Sequence, residues 1–364
     1  MPTPRNEYLQ ADDTYPLVSI VCANSIKPEA ISWLWNGYLA RGKFHIFAGQ
    51  AGTGKTTLAL NIAATVSTGG CFADGTKCDP ANVLIWSGED DPKDTLIPRL
   101  IASGANLDNI HIISEVTQNG ETRGFDPAND VQSLIIAAGK LNLNNFGLMI
   151  VDPIVNAVAG DSHKNGEVRR ALAPLVDFGQ RMNCAIFGIS HFSKATSGRE
   201  PLERVTGSLA FGALARIVLA TAKITEGETS RRVFCRAKSN IGLDGGGFEY
   251  EILQTELEDY EGIFTSYAAF GEAVEGTARE LLAEPDNEGN GSDCVEFLNA
   301  LLKAGRMSAQ EIFKTGESNG FSKDQLKRAK YKLRIKSHRD GFGKGSIIYW
   351  DLPVIEDIGS VKTP

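Results

Sequence analysis

The chain has 364 residues, 42% of them hydrophobic and 23% charged, with a formal net charge of −8. That length gives room for about two domains, and the composition is that of a soluble globular protein. No apolar run approaches the length of a membrane span, no secretory signal is evident at the N-terminus, and the acidic balance argues against a surface that coats nucleic acid everywhere, so a cytoplasmic protein with no membrane partner is expected.

Residues 1–40 read as an irregular lead-in, with Trp33 and Trp35 packing on the domain that follows. Residues 44–48 form a short apolar stretch that predicts a buried strand. Gly49-Gln50-Ala51-Gly52-Thr53-Gly54-Lys55-Thr56 then reads as a complete phosphate-binding loop, and Thr57 leads into a helix of apolar period running to 66. A strand, a glycine-rich turn and a helix N-terminus aim several backbone N–H groups at one spot, which makes an anion cradle. Residues 49–57 are therefore the candidate contacts of a nucleoside triphosphate. Lys55 would reach the β- and γ-phosphates, and the Thr56 hydroxyl would hold Mg²⁺. ATP with Mg²⁺ is the cofactor pair expected.

Further strands are predicted at 83–86, 110–113, 148–151, 185–189 and 217–220, alternating with amphipathic helices. Their continuous apolar character suits a mostly parallel sheet covered on both faces. Stretches 232–235 and 248–252 predict an antiparallel extension at one edge. In an open parallel sheet, ligands bind outside the carboxyl ends of the strands. Asp152 stands at such an end and is the second candidate for Mg²⁺ and its waters. Glu89, in Ser87-Gly88-Glu89-Asp90-Asp91, stands at another, where a carboxylate could orient or deprotonate water; the alternative is that these acids only cap the next helix. His191 ends a third strand and could sense the γ-phosphate. Six scattered cysteines, with no Cys-x-x-Cys pair, read as reduced thiols.

Domain boundaries are expected at 41–255 for the nucleotide-binding domain, 256–292 for a connecting segment and polar linker, 293–353 for a small basic domain, and 354–364 for a tail. From Lys303 to Lys344 there are twelve Lys or Arg against four Asp or Glu, an asymmetry that points to a local nucleic-acid contact. Helices at 293–304, from 308 and at 322–333, followed by a hairpin with a glycine-rich tip, predict a winged helix-turn-helix. Its third helix carries Lys327, Arg328 and Lys330, where a recognition helix would meet duplex DNA.

The order of these motifs over roughly 30–255 resembles the RecA-like P-loop NTPases, in particular the hexameric plasmid helicase RepA and its related ATPases. The resemblance implies that Glu89 is the catalytic carboxylate, Asp152 the second acid and His191 the sensor. It also implies that a cation is supplied to a neighbour's nucleotide, with Arg216, Arg236 and Lys238 as candidates. Arg236 and Lys238 lie in a segment similar to the paired-cation motif of DnaB-type helicases, with Arg and Lys interchanged, and the two are not equivalent phosphate ligands. Loops facing a central channel would carry Lys164, Lys194, Arg199 and Arg204 against single-stranded DNA. The function implied is an ATP-hydrolysing homo-oligomeric motor, a hexamer, serving as the replicative helicase of a plasmid, phage or mobile element. The alternative is an ATP-switched DNA-binding regulator or loader without unwinding activity. A small-molecule kinase ranks lower, since no lid or acceptor pocket is evident.

Overall fold

A computed structural model of the chain describes residues 19–158, 160–162, 164–192, 209–226, 229–282, 291–303, 305–340 and 347–352. It divides into two units, 1–32 and 33–364. The described residues of the first unit hold a 3₁₀ turn at Ala23–Ser25. The second opens on a short hairpin, β1 (Trp33–Trp35) and β2 (Leu39–Ala40). Trp35 is fully buried there, stacked on Tyr38 at 4.4 Å and on Phe72 at 4.8 Å. The lead-in expected to reach residue 40 thus gives its last residues to the core.

Strand β3 (Phe44–Gly49) passes through the glycine-rich loop into α1 (Lys55–Thr68). There follow β4 (Asn82–Ser87), a π-helical turn at Pro92–Leu96, α2 (Ile97–Ala102) and β5 (Ile110–Ile113). A surface hairpin, β6 (Glu115–Gln118) and β7 (Glu121–Gly124), precedes α3 (Val131–Lys140). The series continues with β8 (Phe146–Asp152), α4 (Asn165–Met182), β9 (Ala185–His191), α5 (Leu209–Leu214) and β10 (Ile217–Glu226). It closes with β11 (Thr229–Ser239), β12 (Gly247–Glu256), β13 (Phe264–Val274) and the short α6 (Ala278–Leu281).

One sheet collects nine of these strands in the order β13-β12-β11-β10-β3-β9-β8-β4-β5. From β10 to β5 all neighbours are parallel, and β11, β12 and β13 add an antiparallel wing. Alternate side chains of β3 divide between two cores: Phe44, Ile46 and Ala48 join Phe146, Leu172 and Phe178, while Phe47 joins Leu58, Ile62 and Phe187. Burial on both faces is what the unbroken apolar runs require. The sheet extends past residue 255, where a connecting segment was expected. Phe264–Val274 is its outermost strand, and Asn61 of α1 donates to the Ala268 carbonyl of that strand at 2.9 Å.

The C-terminal part of the second unit comprises α7 (Gly291–Lys303), β14 (Met307–Ser308), α8 (Ala309–Ser318), α9 (Lys323–Lys332), β15 (Lys336–Asp340) and β16 (Ile347–Asp351). Its strands pair in the order β14-β16-β15 over a separate small core of Leu298, Leu302, Ile312, Leu326, Ala329 and Trp350. Ser308 with Glu311, and Ser322 with Gln325, form capping boxes that fix where α8 and α9 begin. Among the described residues no helix is long and apolar enough to cross a membrane.

Candidate nucleotide site

Strand register assembles the site. In the parallel pairing Gly49 stands opposite His191 on one side and Thr221 on the other, and Ser87 stands opposite Asp152. The carboxyl ends of β3, β9, β8 and β4 therefore meet where the loop leaves β3, with the middle of β10 alongside. Strand β9 lies between the loop strand β3 and the acid strand β8, so His191 projects between phosphate loop and acids.

The loop turns on two glycines in the left-handed region, Gly52 at φ 74° and Gly54 at φ 85°, a conformation that glycine adopts without steric cost. Gly54 is the N-cap of α1, where no side chain caps the helix and no acid lies in the first turn. The first N–H groups of this 14-residue helix are thus neither capped by a side chain at Gly54 nor faced by an acid in the first turn. Ala51 and Gly52 form the exposed rim, Gln50, Gly54 and Thr56 are half-buried, and Thr53 and Thr57 are buried. Thr53 closes the turn by donating its hydroxyl to the Gln50 carbonyl at 2.9 Å.

Lys55 is 5% exposed and spends its three donors on the Gly49 carbonyl (3.2 Å), the Gln50 carbonyl (2.9 Å) and Nδ1 of His191 (3.2 Å). An ammonium can only donate, so His191 accepts at Nδ1 and carries its proton on Nε2. Burial pushes Lys55 down to about 8, against the opposing charges of Asp152 and Glu89. His191 is lowered as well, by burial first and by the Lys55 charge second, with Glu89 opposing.

Asp152, 4% exposed, accepts a 2.6 Å hydrogen bond from the Thr56 hydroxyl. Burial raises its carboxyl to about 6; the Thr56 bond and Lys55 oppose that shift, whereas Glu89 and Asp90 add to it. The charge of Glu89 is thus felt at Lys55, Asp152 and His191 together. Glu89 itself is exposed, on a turn pinned at both sides. Ser87 Oγ accepts from the Asp90 N–H at 2.9 Å, and the Gly88 N–H donates to the Asp152 carbonyl at 2.8 Å. The capping role falls to Asp91, which accepts from the N–H groups of Lys93 and Asp94. Asp90 pairs with Arg99 at 3.2 Å. Within the acidic run, Glu89 has neither duty. Thr56 and Asp152 offer two adjacent hard oxygen donors, which suits Mg²⁺, a cation that takes few protein ligands and leaves the rest to phosphate and water.

The three cations expected to serve a neighbour's nucleotide stand away from their own chain's phosphate loop. Arg216 directly precedes β10, five residues and roughly 17 Å of extended strand from Thr221 at the loop end. Lys238 and Arg236 pair with Val218 and Leu219 near that same far end. Arg216 is exposed and its charge lowers Lys238, after burial, which is the larger cause. Lys238 donates to the Gly212 carbonyl at 2.8 Å, while Arg236 donates to the Gly245 carbonyl at 2.8 Å and lies 4.6 Å from the Tyr38 ring. The cations stand at the end of the sheet remote from their own chain's phosphate loop.

Of the cations expected on DNA, Lys164 is exposed but paired with Glu167 at 3.2 Å and Asp161 at 3.9 Å. Lys194, Arg199 and Arg204 fall outside the described residues. On α9, Lys327 is exposed and Arg328 half-buried, whereas Lys330 lies 4.9 Å from the Trp350 ring, and burial lowers its pKa. Lys330 therefore serves its own small core more than the outer helix face.

Two residues that the motifs did not mark belong to the site. Tyr250 of β12 donates its hydroxyl to the Thr53 carbonyl at 2.7 Å, and Thr221 hydrogen-bonds the same hydroxyl. The available signal was an aromatic with a polar tip on the inward face of Phe248-Glu249-Tyr250-Glu251-Ile252, since a buried phenol needs a partner.

Comparison with known proteins accords with this geometry. The family described as the AAA domain matches residues 12–197, just over half of the chain. No curated protein matches it. A phosphate loop ahead of a helix with no acid in its first turn, a buried lysine, and Thr56 of α1 hydrogen-bonded to Asp152 at the end of β8 are the equipment for binding and splitting a nucleoside triphosphate, and the chain belongs to the AAA-domain family of RecA-like P-loop ATPases.

Proposed function

We propose that the chain is the subunit of an ATP-driven DNA motor, a homo-oligomer similar to the RepA-type hexameric helicases and suited to replicating a plasmid, phage or mobile element. The observation that supports it best is the separation along β10. Lys55, Thr56, Glu89, Asp152 and His191 gather at one end, and Arg216, Arg236 and Lys238 gather at the other. A cation so placed can stabilise transferred phosphate only in another copy. Such a cation, supplied in trans, couples hydrolysis to a shift between neighbours.

In this reading Lys55 exchanges its carbonyl partners for phosphate oxygens, Glu89 orients the attacking water, and His191 senses the γ-phosphate through Lys55. Thr56 and Asp152 hold Mg²⁺, which neutralises charge developing on the phosphates. Lys164, Lys194, Arg199 and Arg204 would track single-stranded DNA in a channel, by a grip that weakens with salt. The C-terminal helices and hairpin would act as a winged helix, with Lys327 and Arg328 against duplex.

A second reading has its own support. The guanidinium of Arg231 lies 5.7 Å from the ring of Tyr331 on α9 and pairs with Glu249 of β12 at 2.9 Å. A DNA-binding helix held against the ATPase sheet suits a regulator whose grip on duplex is switched by nucleotide.

A forked DNA substrate separates the two. A motor shows hydrolysis strongly stimulated by single strands, and strand separation that Lys55→Ala or Glu89→Gln abolishes. A switch hydrolyses slowly and binds duplex more tightly in one nucleotide state. An oligomer that turns over ATP yet moves no strand in either direction overturns the helicase reading.

A further inference from the structure

We infer that Tyr250 and Thr221 form a hydrogen-bonded strut that sets the conformation of the phosphate loop, making Tyr250 a positioning residue for nucleotide binding. The inference rests on the nucleotide-binding reading of residues 49–57 and assigns a role to the antiparallel wing.

Tyr250 is 2% exposed and Thr221 is fully buried. A carbonyl oxygen can only accept, so the phenolic proton is committed to Thr53, and the Thr221 hydroxyl must donate to the phenolic oxygen. Both buried hydroxyls are thereby satisfied in a single direction, which polarises the chain and strengthens each link. Burial of either without its partner would be unfavourable.

The strut holds the loop at both ends. Thr221 stands opposite Gly49, and a Cβ at Gly49 would lie 2.6 Å from the Thr221 carbonyl oxygen. At the other end, fixing the Thr53 carbonyl also fixes the Gly54 N–H, because a planar trans peptide points the two in opposite directions. With the carbonyl drawn towards β12, that N–H faces away from β12. Ile252, two residues beyond Tyr250 on the same face of the strand, closes on Gly54, where a Cβ would meet its Cδ1 at 2.8 Å. Two successive inward side chains of β12 thus shape the turn. A nest of N–H groups binds phosphate well only if its peptides are oriented beforehand.

The test measures Mg-ADP affinity by calorimetry, thermal unfolding without nucleotide, and the kcat and KM of hydrolysis, on the full chain. Tyr250→Phe keeps the ring and removes the donor; it should weaken ADP about tenfold and raise KM by a similar factor, with kcat changed less. Thr221→Val should shift affinity in the same direction, Thr221→Ser should restore it, and the double variant Tyr250→Phe/Thr221→Val should fall short of the summed effects. Wild-type affinity in both Tyr250→Phe and Thr221→Val overturns the strut, even if their unfolding midpoints fall, provided Lys55→Ala abolishes binding. A wild-type chain that binds no nucleotide overturns the underlying reading and the strut with it.

Discussion

His45 sits at the foot of the phosphate-loop strand, fully buried, with Nδ1 donating to the Ile186 carbonyl at 3.1 Å and Nε2 accepting from the Ala40 N–H at 3.0 Å. Burial pushes it down from 6.5 to about 4. Between those values the unfolded chain binds a proton that the folded one refuses, so stability falls as pH drops through that window. The full effect is about 3 kcal/mol. Chemical unfolding at pH 7 and pH 4 should show this loss, and His45→Gln should flatten it. Lys55 is displaced in the same sense, to about 8, and for the same leading cause. At that value the ammonium still carries most of its charge near pH 7, and a bound phosphate would offset the burial that lowers it. The residues that gather beside the phosphate loop were readable as candidates from motif and strand end, as with Lys55, Thr56, Glu89, Asp152 and His191. Tyr250 and Thr221 were not, because neither residue type marks phosphate chemistry and their meeting depends on which strands become neighbours.

Strand β12 is tightly seated against β11. A Cβ on Gly247 would overlap the Phe234 carbonyl oxygen of β11. Gly247→Ala must therefore push the two strands apart, at a cost of roughly 1–3 kcal/mol. It should also weaken nucleotide binding, since Tyr250 and Ile252 move with the strand; unfolding and ADP titration on one sample check both. The parallel strands were legible because each contains a mainly apolar run bounded by turn or helix signals. Strand β13 was not. Phe264-Thr265-Ser266-Tyr267-Ala268-Ala269-Phe270-Gly271 has small and polar residues in its middle, and its place follows from packing over α1. The β1–β2 hairpin escaped for a different reason: with three and two residues it is too short to show a period, and aromatic stacking around Trp35 holds it. Among Glu89, Asp90 and Asp91 the sequence left catalysis and capping open, and side-chain partners divide them: Asp91 caps, Asp90 pairs and Glu89 does neither.

Across the sheet, acids and phosphate loop lie at one end, and Arg216, Arg236 and Lys238 lie toward the other. Two different surfaces that fit one another give a heterologous contact, which closes as a ring or runs on as a filament. If Arg216 is the cation given to the neighbour, Arg216→Ala alone should lose hydrolysis on the order of a thousandfold. Mixed with Lys55→Ala, itself inactive, it should regain part of that activity, because an intact loop from one variant can meet an intact arginine from the other. Persistent inactivity of the mixture, under conditions where both assemble, argues that the arginine acts within its own chain or not at all.

The turn bearing Glu89 is tied to the end of β8 by the Gly88 N–H to the Asp152 carbonyl, and closed on itself by the Asp90 N–H to the Ser87 hydroxyl. A lever welded at its root has no play. Any displacement of the end of β8 would carry the backbone at Glu89 with it, without waiting for a rotamer to change. In such a machine, bond cleavage and the first movement of the sheet would be a single event.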